Sequence, residues 1–246
     1  MTSSSTRTAV VTGGSRGICA AIEARLAADG FSTVVNYAGS RERAEAVVAD
    51  IRAAGGTAIA VQADVSDPHS VSGLFDAAEA AFGPVEVLVN SAGIMKLAPF
   101  AQSEDAVFDA LIAVNLKGTF NTLREAARRM PDGGAIVTLS ASVVELNLET
   151  YGVYAATKAA VETMTAILAK EMRGRAITVN AVAPGPTATE PFLEGKPQGV
   201  IDRMAKAPPL ERLATAHDIA NVVAFLAGPD GRWINGQTVR ANGGIV

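Results

Sequence analysis

The chain is poor in the residues that build covalent and metal frameworks. Its 246 positions hold one cysteine, Cys19, and two histidines, His69 and His217. A single thiol excludes an intrachain disulfide and fits a reducing compartment. So few soft ligands argue against a His/Cys metal centre, and none is expected. Basic runs are missing as well. The formal net charge is −4, which disfavours nucleic acid or an anionic membrane as a partner. No stretch approaches the ~20 apolar residues that span a bilayer. Met1 to Thr8 is polar, carries one Arg and lacks the apolar core of a secretory signal. These absences lead to the expectation of a soluble, cytoplasmic protein.

What is present points to a well-packed α/β chain. Hydrophobic residues make up 49% and charged residues 19%, ample for a core and unlike a disordered segment. Short β-branched runs alternate with helical stretches from end to end. Strands are expected at Thr8–Thr12, Ser32–Asn36, Thr57–Val61, Val85–Val89, Ala135–Leu139, Ala176–Asn180 and Gln237–Arg240. Helices are expected at Ile18–Ala28, Arg41–Ala54, Pro68–Phe82, Glu104–Met130 (one long helix or two abutting), Tyr151–Met172 and Ala216–Leu226. Such alternation implies one domain over 1–246, a doubly wound parallel sheet with helices on both faces and right-handed crossovers. Pro184, Pro186, Pro191, Pro197, Pro208 and Pro209 crowd one stretch, so about 187–210 reads as a mobile lid.

Two local patterns carry chemistry. The first is a strand that stops at Gly13-Gly14-Ser15-Arg16-Gly17 and continues as a helix from Ile18. Strand, glycine turn and helix N-terminus are the arrangement that accepts a pyrophosphate. The second strand ends at Asn36-Tyr37, without the carboxylate that commonly holds the ribose of NAD. Arg16 and Arg41 could instead pair with a 2′-phosphate. The second pattern is Tyr154-Ala155-Ala156-Thr157-Lys158. Four residues apart on a helix, the phenol and the ammonium share a face. At ~4 Å and an effective dielectric near 20, the cation favours the phenolate by roughly 4 kcal/mol, lowering the phenol pKa by about three. That shift would bring a tyrosine near the operating pH.

With the glycine turn, Asn90, Asn115 and the Tyr154/Lys158 pair in place, the sequence resembles the short-chain dehydrogenase/reductase family. It looks most similar to the branch of 3-oxoacyl-carrier-protein reductases, over nearly all of Arg7 to Gly244. The resemblance implies a Rossmann fold, a dinucleotide cofactor and assembly as homodimers or homotetramers through the long helices, whose Ala155, Ala156, Ala159 and Ala160 allow close packing. It implies that Gly13, Ser15, Arg16, Gly17 and Ile18 hold the cofactor, with Asn36, Tyr37 and Arg41 near the adenosine ribose. By the same resemblance Asp64 and Val65 meet the adenine, and Asn90, Ala92 and Gly93 line the end of the fourth strand. Pro184, Gly185, Thr187 and Thr189 would hold the nicotinamide carboxamide. Because a basic residue at the Arg16 position goes with NADP in that family, NADP(H) is expected over NAD(H).

The implied catalytic set is Asn115, Ser142, Tyr154 and Lys158. Lys158 would also bind the ribose, and Asn115 would hold a water that reaches Lys158. The serine is ambiguous. The family's spacing of thirteen before the tyrosine falls on Ala141, between Ser140 and Ser142; the Ser-Val-Val context favours Ser142, and Ser140 stays open. Two positions depart from the pattern. Cys19 stands where the last glycine of the turn is usual, either weakening cofactor binding by crowding or packing as a small apolar residue, and Ser91 replaces the second Asn after the fourth strand. The implied reaction is reduction of a ketone or 3-oxoacyl carbonyl. Oxidation of a sugar or steroid alcohol, or NADP sensing without turnover, are the alternatives.

Overall fold

The computed structural model describes residues 7–246, apart from the side chain of Pro191. Most of the polar N-terminal stretch therefore lies outside the described residues. Each apolar run of the sequence becomes a parallel strand: β1 (Thr8–Val11), β2 (Ser32–Tyr37), β3 (Thr57–Gln62), β4 (Val85–Asn90), β5 (Ala135–Leu139), β6 (Thr178–Pro184) and β7 (Thr238–Ala241). They form one sheet in the order β3-β2-β1-β4-β5-β6-β7, all parallel. This is the Rossmann order, in which the chain reverses its direction of growth between β1 and β4. In such a sheet ligands bind outside the strand C-termini at the switch point, where the glycine turn after β1 and the segment after β4 lie.

Helices cover both faces, and the strands alternate their side chains between them. Val10, Leu88 and Ile136 face a layer with Leu74 and Phe75 of α3 (Pro68–Phe82), Leu123 of α5 (Gly118–Arg129) and Leu168 of α7 (Gly152–Glu171). Ala9, Val11, Val87 and Val137 face the other layer, with Ile22 and Leu26 of α1 (Gly17–Ala28) and Ile219 and Val223 of α10 (Ala216–Ala227). A smaller cluster seats α2 (Arg41–Ala53) on β2 through Ala44, Val48 and Ile51. Burial on both faces explains why these strands read as continuous apolar runs. Three helix starts are set by side chains: Ser40 accepts Arg43 N–H at α2, Asp67 accepts the backbone N–H groups of His69 and Ser70 at α3, and Thr215 forms a reciprocal capping box with Asp218 at α10. No described helix is long and apolar enough to cross a membrane.

Three expectations are corrected. The sixth strand begins two residues later and ends four later than the sequence suggested, at Thr178–Pro184. Ala176 has φ +51°, which breaks the extended run, while Ala181 to Pro184 pair with β7. Asn180, which looked like a strand end, is satisfied inside the sheet: its amide donates to Ile234 O and its oxygen accepts Gln237 N–H. The long helical stretch is α4 (Asp105–Leu111), a π-helical segment (Ile112–Lys117) and α5 in direct succession. Finally, the proline-rich segment contains α8 (Glu190–Leu193) and α9 (Gln198–Lys206) rather than open loop. Pro191 stands in the first turn of α8, where a missing N–H costs nothing.

Candidate active site

The glycine turn is built to let backbone approach backbone. Gly13 takes φ +70°, and a Cβ there would lie 3.0 Å from Ala92 Cα. Gly17 takes φ +59°, and a Cβ there would lie 3.6 Å from the Thr189 side chain. Thr12 is the hub between this turn and the end of β4: its hydroxyl oxygen accepts the N–H groups of Ser91 and Ala92, each at 3.0 Å. Arg16, in extended conformation, is the N-cap of α1 and supplies no side-chain cap. The first N–H groups of α1 are therefore left without a side-chain acceptor, the condition for anion binding.

Several residues expected at the cofactor carry internal struts of the fold. The Asn36 oxygen accepts Gly13 N–H at 3.2 Å and its amide donates to Ala63 O at 3.0 Å, tying the turn to β2 and β3. Tyr37 is buried in the α2 cluster, so only its backbone remains for a ligand. The Asn90 oxygen accepts Thr122 Oγ1 at 2.8 Å and its amide donates to Thr119 Oγ1 at 2.9 Å, linking β4 to α5. Burial explains these struts: at 1% and 3% exposure Asn36 and Asn90 satisfy their amides within the protein. Asp64 is exposed and accepts the Ser66 N–H and hydroxyl, while Val65 is buried against Gly118. The Arg41 side chain is 79% exposed and lies 3.6 Å from Glu45 on its own helix. Gly14, Ser15 and Ile18 complete the turn, and Arg16 remains exposed at its tip.

The two departures from the family pattern meet each other. Cys19 Sγ lies 2.8 Å from Ser91 Oγ, joining α1 to the segment after β4. Burial pushes the Cys19 thiol up from its ordinary 9.0, so it stays protonated. Of the two expectations for Cys19, the structure displays the second, small-residue packing, with a hydrogen bond added.

Asn115, Tyr154 and Lys158 converge at the end of the crevice. Asn115 is buried in the π-helical segment, where the wider turn carries its side chain to the loop after β4. Its oxygen accepts Ile94 N–H at 2.8 Å, and its amide donates to Ile94 O at 2.9 Å and Thr157 Oγ1 at 3.2 Å. It thus clamps that loop to α7. A Cβ on Gly93 would sit 3.3 Å from Asn115 Oδ1 and 3.6 Å from Lys158 Nζ, so the three share one corner. Lys158 Nζ lies 5.9 Å from the Tyr154 ring centroid and donates to Leu139 O at 2.8 Å. The expected acidic phenol is not what this arrangement produces. Burial, then the neighbouring Tyr151, push Tyr154 up to about 12, and burial pushes Lys158 down to about 8. Desolvation of both groups outweighs a cation at this separation. The Tyr151 ring stands edge-on to Tyr154, centroids 6.4 Å apart.

Both serines are buried and their hydroxyls are engaged. Ser140 donates to Glu162 on α7. Ser142 occupies the N-cap position of the short helix α6 (Val143–Leu146) without a side-chain cap. Its N–H donates to Pro184 O and its hydroxyl to Ala183 O at 3.3 Å. Ser142 therefore stands beside Pro184 and Gly185, at the end of β6. Thr187 is buried and donates to Gly185 O at 2.9 Å, fixing that turn. Thr12, Thr157 and Asn242 were not expected; Asn242, in Ala-Asn-Gly-Gly after β7, donates to Ser142 Oγ at 3.0 Å. An amide directly before two glycines past the last strand is the signal that could have found it.

The chain is similar to known proteins over nearly its whole length. A family model described as enoyl-(acyl carrier protein) reductase matches residues 13–246. A short-chain type dehydrogenase/reductase of Picea abies is 45% identical over 250 residues, spanning 98% of this chain and 92% of that protein. An Arabidopsis thaliana protein named NADPH-dependent aldehyde reductase-like, chloroplastic, is 45% identical over 254 residues, 98% of this chain and 94% of its own. The solved structure of a short chain dehydrogenase from Burkholderia cenocepacia in complex with NADP superposes with a TM-score of 0.91, at 40% identity and 97% of each chain. With the glycine turn at the switch point and the Tyr154/Lys158 helix beside it, this chain belongs to the short-chain dehydrogenase/reductase family.

Proposed function

We propose that this protein is an NADPH-dependent carbonyl reductase that converts a ketone, or the 3-oxo group of an acyl thioester, into a secondary alcohol. The observation that carries the reading is the corner at Gly93, where Asn115 Oδ1, Lys158 Nζ and, above the lysine, the Tyr154 ring converge. The glycine turn fits a dinucleotide: a Cβ at Gly13 would fill the approach to Ala92, and the open end of α1 offers donors to a pyrophosphate. Arg16 at the turn and the lack of a carboxylate at the end of β2 support NADP(H) over NAD(H), as do the NADPH-dependent Arabidopsis relative and the NADP complex of the Burkholderia one. When bound, NADPH supplies the hydride.

The chain's own groups handle the proton and the charge. Tyr154, held protonated at neutral pH by its raised pKa, donates its proton to the carbonyl oxygen. Lys158, as the ammonium, stabilises the phenolate left behind. Ser142 exchanges its long bond to Ala183 O for one to the substrate oxygen as charge develops there. Because Lys158 gives up its proton near 8, reductive kcat should fall as pH rises through that value. A profile of kcat for carbonyl reduction from pH 6 to 10 checks this; a rate that climbs across pH 8 would contradict it.

Apolar Met95, Leu97 and Leu148 are exposed around the loops after β4 and β5, which supports a hydrophobic substrate; Phe192, Leu193, Val200, Ile201 and Met204 in the lid would add to that lining. The protein acts in the cytoplasm as a homodimer or homotetramer, a reading supported by Phe108, Phe120 and Ile167, exposed on the long helices. The direct test is Tyr154→Phe, assayed by loss of NADPH absorbance with a panel of ketones, aldehydes and acyl thioesters. Turnover should fall by at least ~10²-fold, the range of general acid catalysis, with NADPH affinity retained. A variant that keeps its turnover would refute the assignment. Comparing kcat/KM for NADPH and NADH tests the cofactor, and a strong NADH preference would overturn it.

A further inference from the structure

A serine that polarises a carbonyl must donate its proton, and a buried hydroxyl donates wherever its best acceptor stands. What surrounds Ser142 Oγ thus decides whether it can serve. Two groups do. Ala183 O accepts from it at 3.3 Å, a long bond, and Asn242 Nδ2 donates to it at 3.0 Å. The amide of Asn242 cannot turn around, because its Oδ1 accepts Gly244 N–H at 3.0 Å. The second Nδ2 hydrogen points to Val246 O at 3.4 Å. Both ends of the amide are therefore engaged, and the NH2 end faces the serine.

We infer that Asn242 is a positioning residue for the reaction, holding the Ser142 hydroxyl as a donor free to turn to the substrate oxygen. An N–H fills one lone pair of Oγ, which leaves the hydroxyl proton with Ala183 O as its only protein acceptor among the described contacts. The exchange of that long bond for a substrate carbonyl costs little. An acceptor in place of the NH2 group would instead draw the proton away from the substrate. The approach is tight by construction. A Cβ on Gly185 would lie 2.8 Å from Asn242 Cα, so only glycine lets β7's end reach the turn after β6. Gly185 N–H donates to Ala241 O at 3.0 Å and locks that contact. Asn242 is 5% exposed and, in this arrangement, meets the reaction through Ser142.

The inference rests on the reading of Ser142 as the polarising hydroxyl, and the experiment separates the two. Ser142→Ala, Asn242→Asp, Asn242→Ala and the Ser142→Ala/Asn242→Asp pair are compared for kcat, NADPH Kd and melting temperature. Asn242→Asp should lower kcat on the order of 10²-fold at pH 8, the cost of losing one donor to a developing oxyanion, with NADPH Kd unchanged. The deficit should narrow as pH falls and the new carboxyl gains a proton to donate. Asn242→Ala should cost less and show no such recovery, which keeps the test alive if the Asp variant folds poorly. In the Ser142→Ala background the Asp change should add nothing. Wild-type kcat in Asn242→Asp, or an equal loss with and without the serine, overturns the inference. A Ser142→Ala enzyme with full kcat overturns the reading of Ser142 itself.

Discussion

Glu23 carries its carboxyl group into the gap between α1 and β2, where it is fully buried beneath the glycine turn. A Cβ on Gly14 would sit 2.7 Å from Glu23 Oε1, so the turn closes over the carboxyl. Burial pushes this group well above its ordinary 4.5, with the Thr33 hydroxyl too weak a partner to offset it. The folded chain thus holds a proton that the unfolded chain releases. The stability this contributes is complete below the unfolded pKa and is lost as pH rises toward the folded one. Glu23→Gln carries no such proton, so its melting temperature relative to the parent should rise between pH 5 and pH 8. Each 1 kcal/mol moves the transition by about 2–4 °C in a chain of this size. A difference that stays flat with pH would mean Glu23 is not neutral in the fold. At this scale the sequence announced residue types better than roles. Tyr154 and Lys158 were legible as a pair from their spacing, and Asn115 from the family resemblance. The internal use of Asn36 and Asn90, and the acidity of Tyr154, depend on burial, which a spacing does not carry.

The helix from Asp105 to Arg129 illustrates what an element can hide. Its sequence reads as one helical stretch, and Asn115, a poor helix former, stands in the π-helical segment that aims its side chain at Ile94 and Thr157. The register widening itself leaves no composition signal. It ends at Gly118, where a Cβ would stand 2.6 Å from Val65 Cγ2 and 3.2 Å from its Cβ. Gly118→Ala should therefore push α5 from β3's end and loosen the Asn115 clamp. The expected loss is about 1–3 kcal/mol of stability, as for overpacking, together with a lower kcat. Chemical denaturation and steady-state assays check both; a stable variant of unchanged kcat would show that the junction yields freely. Strand limits were readable wherever Gly or a helix cap follows. The limits of β6 were not, because Asn180 is satisfied by contacts with residues 234 and 237, far away in sequence. The short helices α8 and α9 were masked by the prolines that begin or precede them.

Across the whole molecule the two apolar layers share the same strands. Val10 faces one layer while Ala9 and Val11 face the other, and Leu88 stands between Val87 and Val89 in the same way. Stripping the α1/α10 layer would expose the back of the strands that the α3/α5/α7 layer needs. One domain, as the alternation of elements suggests, then means one cooperative transition. Leu26→Ala in the first layer and Leu74→Ala in the second should each cost about 2–5 kcal/mol, both residues being buried to 1% or less. Because the sheet separates them and they belong to different clusters, their effects should add to within about 0.5 kcal/mol. The transition is best followed by far- and near-UV circular dichroism together, since the single tryptophan, Trp233, is 99% exposed and reports little on packing. Both probes should move together in each variant and in the double variant. If Leu26→Ala melted ahead of the Leu74 side, leaving a second transition at the parent's midpoint, the layers would be separable units and the one-domain reading would fail.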